Sequence, residues 1–297
     1  MSIQIDYLFP WVNPLDIEWQ KAYAKAKGED IKQNDPRFRD LGWLKYMLRS
    51  LDKNMPWLHK VHIILASPSQ VPDWLNTNEV NIIYHKDFIP ENYLPVFNSS
   101  TIEVFLPKIE CLSDYIIYGN DDLFAINHTE PTDFFTEDGI PKIFYREFKN
   151  PKGKFFQMCK RDSDLVKHTN IDDTYIKQEH LNVSWTKSAL KEVYSKYEKV
   201  LLESITKFRT NLKNYNQYIF ADYLIYNNNV VKLDSSSNIG KYHGLEDPSA
   251  GELTKFLNDP ITKTVCINDS GTNNKVVLEE ITHWLERKFP EKSKFEK

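Results

Sequence analysis

One stretch of the chain, residues 115–124, constrains the fold more than any other. It reads Tyr-Ile-Ile-Tyr-Gly-Asn-Asp-Asp-Leu-Phe, so a run of strand-forming residues leads through a glycine into an amide and two adjacent carboxylates. A buried strand that ends in acidic residues is typical of open α/β sheets, which bind their ligands at the carboxyl edge. The competing interpretation is a solvated strand-to-loop turn, because Asn and Asp are common turn residues.

The two adjacent carboxylates, Asp121 and Asp122, need compensation if they are removed from water. They repel each other and are costly to desolvate. A hard divalent cation such as Mg²⁺, which itself holds phosphate oxygens, is the usual compensation. The stretch therefore favours a metal and phosphate site, with the solvated turn as the alternative.

The first 125 residues alternate between strand-like and helix-like segments. Strands are predicted at residues 3–9, 61–66, 80–84 and 115–118. Between the first two strands, apolar residues from Leu44 to Leu51 recur at i, i+3, i+4 and i+7 and mark the buried face of a helix. This alternation predicts a mostly parallel, twisted sheet with helices packed against it.

Several polar residues in this part have structural interpretations. Asp16 follows two prolines and has the position of a helix cap. Ser100 and Glu103 have the spacing of a capping box, which would start a helix and occupy the glutamate. His59 and His62, three residues apart at the start of a strand, are weak evidence for a metal.

The rest of the chain divides into an irregular part and a helical part. Residues 126–175 are rich in Asp, Lys, Thr and Pro, and we expect an irregular, mobile segment that covers the site. A long amphipathic helix follows, with Thr186 or Ser184 as its cap, and a second helix is predicted at residues 215–226. A short apolar strand at residues 265–267 precedes a final amphipathic helix.

Composition excludes several classes of protein. The net charge of −4 gives no support for a nucleic-acid partner. The three cysteines are far apart without a Cys-x-x-Cys pair, which indicates neither a disulfide framework nor a zinc-thiolate site. The N-terminus lacks a basic region with a cleavage site, and no apolar run approaches the roughly 20 residues that span a bilayer. We expect a cytosolic protein that contacts a membrane only at its surface.

Four blocks of the sequence together resemble one family. They are Ile-Asp-Tyr-Leu-Phe-Pro-Trp-Val-Asn at residues 5–13, a second block that begins Arg37-Phe38-Arg39-Asp40 and continues through residues 44–50, 72–76, 94–99 and 120–122, a third with His180 and Phe208-Arg209, and a fourth with Asn268-Asp269-Ser270 and the C-terminal residues 289–296. In this order, over nearly the whole chain, they resemble the Stealth family of bacterial capsule and exopolysaccharide sugar-1-phosphate transferases, to which the animal lysosomal-enzyme N-acetylglucosamine-1-phosphotransferase is related.

The resemblance implies a fold and a domain organisation. The expected fold is α/β and Rossmann-like, a glycosyltransferase-A-type, mostly parallel sheet flanked by helices, with a helical C-terminal part that completes the site. Residues 1–297 would form a single catalytic domain. Its parts would be a nucleotide-sugar-binding α/β part at 1–125, the irregular insert at 126–175 and a mostly helical part at 176–297.

The resemblance also implies a reaction. Family members take a nucleotide-activated sugar, usually a UDP-sugar, and an acceptor hydroxyl attacks the β-phosphorus. Sugar 1-phosphate is transferred, a phosphodiester forms and UMP leaves. Such phosphoryl transfer requires charge neutralisation, in-line positioning and a base for the attacking hydroxyl. The expected partners are a UDP-sugar donor, a glycan or lipid-linked oligosaccharide acceptor, and membrane-bound capsule-assembly proteins; the expected cofactor is Mg²⁺, with Mn²⁺ as an alternative.

Residue roles follow from the same resemblance. The catalytic candidates are Asp121, Asp122, His180 and Arg209, of which Arg209 would stabilise charge on the transferring phosphoryl group, and an aspartate or His180 would be the base. Asp122 and Asp269 would bind the metal. The substrate-binding candidates are Trp11, Val12, Asn13, Asp16, Arg39, Asp40, Arg49, Asn98, Ser99, Asn120 and Asn268.

Two other functions remain open from the sequence. A metal-dependent glycosyltransferase would share the sheet and its acidic edge but would release UDP. A non-catalytic module that binds nucleotide sugars would need the aromatic residues but not His180, Arg209 and Asp269 together. Without the resemblance, His180 is a surface or cap residue, Arg209 a cation at a helix C-terminus and Asp269 a helix cap.

Overall fold

The computed structural model describes residues 3–30, 38–167, 173–210, 213–245, 257–269, 271–272 and 274–297. Arg37 and Ser270 of the motifs above, and residues 168–172 of the predicted insert, lie outside the described residues. The strands are β1 Ile5–Pro10, β2 Lys60–Leu65, β3 Asn81–Tyr84, β4 Tyr115–Tyr118, β5 Leu123–Ala125, β6 Lys142–Phe148, β7 Tyr175–Gln178, β8 Val183–Thr186, β9 Val231–Leu233, β10 Gly240–Gly244 and β11 Thr264–Asn268. The described α-helices are α1 Ile17–Lys27, α2 Leu44–Asn54, α3 Ser99–Val104, α4 Gly153–Val166, α5 Lys187–Ser204, α6 Tyr218–Tyr226 and α7 Lys275–Lys288.

A five-stranded sheet in the order β3-β2-β1-β4-β8 organises the described residues. The first four strands are parallel, and β8 pairs antiparallel with β4. The prediction of a mostly parallel α/β sheet is confirmed. Its four parallel strands are the four predicted from apolar patterning, with boundaries that differ by up to two residues.

Both faces of this sheet are buried, because its side chains alternate between two apolar layers. Tyr7 and Phe9 of β1 pack into the layer that contains α2 and α7. Leu8 packs into the opposite layer with residues of α3, α5 and α6. All three side chains are fully buried, and each such burial contributes roughly 1.5–3 kcal/mol relative to exposure.

A second, three-stranded sheet in the order β10-β11-β5 carries the C-terminal part of the chain to the end of β4. Strand β11 runs antiparallel to β5, with Cys266 opposite Leu123. The Ile267 N–H donates to the Asp122 carbonyl oxygen at 2.9 Å. This pairing brings residues about 145 positions apart in sequence to the same edge.

The prediction of an irregular segment at residues 126–175 is wrong over much of its length. It contains β6 and the 14-residue helix α4, and β6 pairs with β7 and β9 in a third sheet. Helix α4 buries Cys159, Asp162, Ser163 and Val166 at helical spacing. Because two of these four are polar, the stripe does not stand out as apolar periodicity.

Two smaller predictions are also corrected. Helix α3 is capped by Asn98, whose side chain accepts from Ser100 N–H, so Ser100 and Glu103 do not form the predicted capping box. Residues 176–297 contain five of the described strands as well as helices, so this part is mixed rather than mostly helical. Thr186 does cap α5, as predicted, by accepting from Ala189 N–H at 3.3 Å.

Candidate active site

A cavity of about 350 Å³ lies at the carboxyl ends of the parallel strands. Trp11 follows β1, and its N–H donates to Ile64 in β2 at 3.0 Å. Asn120 and the two aspartates follow β4, where Gly119 N–H donates to Leu8 of β1 at 2.9 Å. The cavity therefore occupies the edge where open α/β sheets bind ligands.

Residues from all four sequence blocks line this cavity. The predicted residues among them are Trp11, Val12, Arg39, Asp40, Asn98, Ser99, Asn120, Asp121, Asp122, His180, Arg209, Asn268 and Asp269. The fold thus brings together residues separated by more than 250 positions. A solvated turn alone does not explain the Asn-Asp-Asp sequence, because this turn forms a wall of the cavity.

Asp122 and His180 form an ion pair in the cavity. His180 Nε2 lies 3.4 Å from Asp122 Oδ2, and Asn268 Nδ2 donates to the same oxygen at 3.1 Å. The buried Cys266 thiol also donates to it at 3.4 Å. The other carboxylate oxygen, Asp122 Oδ1, is buried and has no hydrogen-bond partner among the described residues. That oxygen is an unused acceptor next to the cavity.

The pair shifts the titration of both groups. Burial opposes ionisation of Asp122, but the His180 charge and the hydrogen bonds from His180, Asn268 and Cys266 outweigh it, so the pKa of Asp122 lies below its ordinary value. Burial likewise opposes protonation of His180, yet the Asp122 carboxylate raises the pKa of the imidazole above its ordinary value. The two effects favour an ionised Asp122 beside a protonated His180.

Asp121 lies open to the cavity beside Asp122. The surrounding protein limits its hydration, and the Asp122 carboxylate adds repulsion, which together raise the pKa of Asp121 to about 7. Gly119 positions this turn against the core. A Cβ at that residue would lie 2.2 Å from the hydroxyl oxygen of the buried Tyr7, so a larger residue requires the turn or the tyrosine to move.

Arg39 and Asp269 form a second charged pair at the cavity. Arg39 Nε donates to Asp269 Oδ2 at 2.8 Å, and Arg39 NH2 donates to Asp269 Oδ1. A third donor, Arg39 NH1, binds the Thr272 carbonyl at 2.9 Å. Asp269 was predicted to bind the metal, but both of its oxygens are held by the guanidinium in this structure. It does not cap the final helix either, because Asn274 does.

Arg209 lies on an exposed segment beyond the end of α5 and reaches Ser99 at the start of α3, where its guanidinium donates to the Ser99 hydroxyl. Helix α5 ends at Ser204, so Arg209 does not serve as a cation of that helix terminus. Its positive charge therefore faces the cavity that the aspartates line.

Asn98 is buried near Arg209 and makes several structural hydrogen bonds. Its Nδ2 donates to the Thr206 carbonyl and to Asn214 Oδ1, and its Oδ1 caps α3. These bonds fix the segment that leads from α5 to Arg209. The predicted substrate contact Asn98 is thus mainly committed to holding the wall of the site.

Three predicted substrate-binding residues do not line this cavity. Asp16 caps α1 and accepts hydrogen bonds from Ser69 and Gln70, which is the structural role that its sequence position allows. Asn13 uses its side chain to accept from Leu15 N–H. Arg49 forms a bidentate ion pair with Glu296. Each of these three side chains has a structural partner in this structure, and their role in substrate binding stays a prediction.

A metal could be held by part of this site. Ligand atoms of Asp122, His180 and Cys266 all lie within 4.8 Å of one another. Their oxygen, nitrogen and sulfur donors are softer as a set than the all-oxygen shells that Mg²⁺ prefers. The buried, unpartnered Asp122 Oδ1 is the observation that fits a hard cation best.

The sequence reasoning missed several residues of the cavity wall. His85 follows β3 and could have been found from the rule that strand ends meet at one edge. Trp19, Phe38 and Phe97 form an aromatic group, with the Trp19 and Phe97 rings 5.6 Å apart, and no local pattern marks them. Cys266 is fully buried and does not line the cavity, but its thiol contacts Asp122; because it lies in a short apolar strand, only the pairing of β11 with β5 reveals this contact.

Comparison with known proteins shows the family. The profile described as "Stealth protein CR2, conserved region 2" matches residues 37–143. The exopolysaccharide phosphotransferase cps2G of Lactiplantibacillus plantarum is 28% identical over 99% of this chain and 96% of its own length. The capsular polysaccharide phosphotransferase WcwK of Streptococcus pneumoniae is 30% identical over 99% of this chain and 98% of its own length. The chain belongs to the Stealth family.

Membership in the Stealth family makes the chain a transferase enzyme, since these relatives are phosphotransferases by name. Among solved structures, the galactosyltransferase LgtC, in complex with donor and acceptor sugar analogues, matches 95% of each chain at 10% identity with a TM-score of 0.44.

A separate finding concerns membranes. Across the described ranges, none of the helices has the length and apolar character needed to cross a bilayer.

Proposed function

We propose that this Stealth protein transfers sugar 1-phosphate from a UDP-sugar to a hydroxyl of a capsular or exopolysaccharide glycan, with release of UMP. One observation carries the proposal. A single cavity collects the Asp122–His180 pair, the open Asp121 carboxyl and the Arg209 guanidinium, from distant parts of a chain whose relatives are polysaccharide phosphotransferases. These are the groups that phosphoryl transfer requires: cations for the phosphate charge and a base for the nucleophile.

Charge stabilisation is the first role. Arg209 is exposed at the cavity rim with a planar, permanently charged fork, which suits the oxygens of a transferring phosphoryl group. The protonated state of His180, which Asp122 favours, adds a second positive charge beside the acidic turn. Together these cations would offset the negative charge of the donor diphosphate next to two aspartates.

Proton removal from the acceptor is the second role. Asp121 is open to the cavity and can accept a proton from a hydroxyl at hydrogen-bond distance. His180 can do so only if its proton is first released, because the Asp122 carboxylate holds the imidazole in its charged form. We therefore assign proton abstraction to Asp121. The Asp122–His180 pair instead holds the positive charge of His180 in the cavity.

Mg²⁺ is the proposed cofactor, with Mn²⁺ as an alternative. The Asp122 carboxylate, whose Oδ1 has no hydrogen-bond partner among the described residues, would hold it together with phosphate oxygens of the donor. The ion would supply further neutralisation of the diphosphate. Asp269 is withdrawn from the metal site, because Arg39 holds both of its oxygens.

The proposed partners are a UDP-sugar donor and a glycan or lipid-linked oligosaccharide acceptor, and the proposed location is the bacterial cytoplasm, with peripheral association at the inner face of the membrane. On the donor side, the positive charges of Arg209 and His180 would pair with the negative charge of the donor phosphates. Fractionation of the native cells tests the location. We expect the protein in the membrane fraction, and we expect washing with salt to release it.

The nucleotide product tests the reaction. The protein is incubated with MgCl₂, a panel of UDP-sugars and a capsular oligosaccharide, and the nucleotides are separated by chromatography. The proposal predicts UMP in equal amount to a new phosphodiester, and loss of both with Asp122→Asn. Release of UDP instead would show a glycosyltransferase that attacks the anomeric carbon.

A further inference from the structure

His85 is a buried histidine whose imidazole has no hydrogen-bond partner among the described residues, although it lines the cavity. It is 6% exposed, and it follows directly after β3. Without a protein partner, the ring nitrogens depend on water or on a ligand for their hydrogen bonds. Since the open side of this ring is the cavity, a bound ligand is the partner that the site can supply.

The ring is held in place for such a contact. The His85 carbonyl accepts from Phe88 N–H at 3.3 Å and from Ile89 N–H at 2.8 Å, which fixes the short turn after β3. The Phe88 ring meets the imidazole edge to face, with centroids 6.4 Å apart. The imidazole is therefore oriented before any ligand arrives, and this lowers the entropy cost of binding.

His85 lies far from the acidic turn along the same sheet edge. The strand order places β2 and β1 between β3 and β4, so the chain at His85 and the chain at Asn120 are three strand spacings apart, roughly 14 Å. Trp11, at the end of β1, lies between them. A ligand that reaches from Asp122 to His85 must be elongated and must pass this tryptophan.

Much of the rest of the lining is aromatic and apolar. Besides Trp11, it includes Val96, Trp19 and Phe97, and the rings of Trp19 and Phe97 lie 5.6 Å apart at 70°. A sugar ring, with hydroxyls on every side, would need several polar partners here. A planar, uncharged base needs apolar faces and a few hydrogen bonds at its edge, which matches these walls and one imidazole.

We infer that His85 is the residue that recognises the nucleobase of the donor, with the base bound between β3 and the Trp11 end of β1 and the diphosphate extending toward Asp122. The inference rests on the proposed function and adds a specificity-determining residue to it. Burial lowers the pKa of His85 to about 4, so at neutral pH the ring carries one N–H donor and one acceptor nitrogen. The nitrogen that faces the cavity can therefore pair with one donor or one acceptor on a pyrimidine edge.

Calorimetric titration with UMP and with ribose 5-phosphate tests this assignment, because the second probe has the sugar and phosphate without the base. For His85→Ala, loss of the imidazole contact predicts about tenfold weaker UMP binding and unchanged ribose 5-phosphate binding. His85→Asn, which keeps a donor and an acceptor, should recover part of the UMP affinity. His128→Ala, a histidine exposed outside the cavity, is the matched control and should bind both probes as the wild type does.

Two results would overturn the assignment. Equal affinity of the wild type for UMP and ribose 5-phosphate would show that no base is recognised, and wild-type UMP affinity in the His85 variants would show that another residue does so. If His85→Ala does not fold, His85→Phe keeps an aromatic ring, slightly larger and without nitrogens, and carries the same expectation. These outcomes are separable from failure of the proposed function, because UMP release during turnover is measured independently of the His85 variants.

Discussion

The central sheet carries an aspartate that pairs with histidine at each of its two edges, and the two aspartates differ in how completely their oxygen atoms are satisfied. At the edge where the strands begin, both oxygens of the buried Asp6 are used: Oδ1 pairs with His59 at 2.9 Å, and Oδ2 pairs with His62 at 3.0 Å and accepts from Ser113 N–H at 2.7 Å. At the other edge, Asp122 uses one oxygen and leaves the other without a partner among the described residues.

The difference separates a structural pair from a reactive one. The Asp6 network closes on itself, and the side-chain amide of Asn81 lies 2.8 Å from the second nitrogen of His62. Such a network leaves nothing for a ligand to bind and contributes to folding. The Asp122–His180 pair opens onto a cavity and keeps an unused acceptor, which has a reason only if a ligand or cation completes it.

The largest expected effect is on turnover. In Asp122→Asn, loss of the negative charge removes the proposed cation ligand and the partner that charges His180, so kcat should fall by about a thousandfold or more. The free energy of unfolding should change by no more than about 1 kcal/mol, because the amide oxygen of the new side chain can still accept the hydrogen bond from Asn268. Steady-state kinetics and urea unfolding on the same preparation measure both. A variant that keeps wild-type kcat would remove Asp122 from the mechanism.

The matched change in the structural pair should have the opposite effect. Asp6→Asn leaves two histidines beside a neutral amide in a fully buried position, which should cost roughly 3–5 kcal/mol of folding free energy. The folded fraction should keep the wild-type kcat, since this edge is remote from the cavity. Normal stability with impaired kcat would contradict the assignment of Asp6 to a structural role.

Two arginine–carboxylate pairs extend the comparison. Arg39–Asp269 lines the cavity, whereas Arg49–Glu296 ties α2 to the C-terminus, and the guanidinium side chains are similarly buried, at 16% and 14% exposed. Arg39→Met should raise the donor KM by about 10- to 100-fold, as expected for loss of a charged contact. Arg49→Met should leave the donor KM unchanged and cost about 2 kcal/mol of stability. An equal rise of the donor KM in both variants would show that Arg49 also contributes to donor binding.

The pH dependence of the free energy of unfolding should reflect the ionisation of Asp6 and its partner His62. Burial opposes ionisation of Asp6, but the hydrogen bonds from His62, Ser113 and His59 lower its pKa from 3.8 to about 2. This contribution, about 2 kcal/mol, is present above pH 4 and lost as the pH falls toward 2. Burial opposes protonation of His62, but Asp6 raises its pKa above 6.5, so that contribution is present below this pH and lost above the raised pKa.

Urea unfolding of the wild type and of Asp6→Asn across this pH range checks whether ionised Asp6 stabilises the fold. The difference between the two proteins should be largest between about pH 4 and 6.5 and should shrink on both sides. A difference that grows steadily toward pH 2 would show that Asp6 does not gain stability from its ionised form.

The sequence alone predicted the part of the molecule that depends on local pattern. The four parallel strands follow from apolar runs, and the acidic turn follows from the position of Asp121 and Asp122 after one of them. Resemblance to the Stealth family supplied His180, Arg209 and Arg39, which the cavity brings together. What could not be predicted depends on long-range pairing.

Two examples show why. Helix α4 was missed because its buried face includes Asp162 and Ser163, whose burial depends on partners from elsewhere in the chain, such as Asp222 for Ser163. The partner of Arg49 could not be known before the C-terminal Glu296 was placed beside α2. A polar residue has the same pattern in the sequence whether its side chain binds a ligand or another residue of the protein.

The bond that breaks is the most direct test of the central claim, that an acceptor hydroxyl attacks the donor β-phosphorus in this cavity. A UDP-sugar labelled with oxygen-18 between the anomeric carbon and the β-phosphorus is converted by the enzyme, and the products are analysed by mass spectrometry. The account predicts that the label stays with the sugar, in the new phosphodiester, while unlabelled UMP is released. Label recovered in UDP would show attack at the anomeric carbon and would contradict the account.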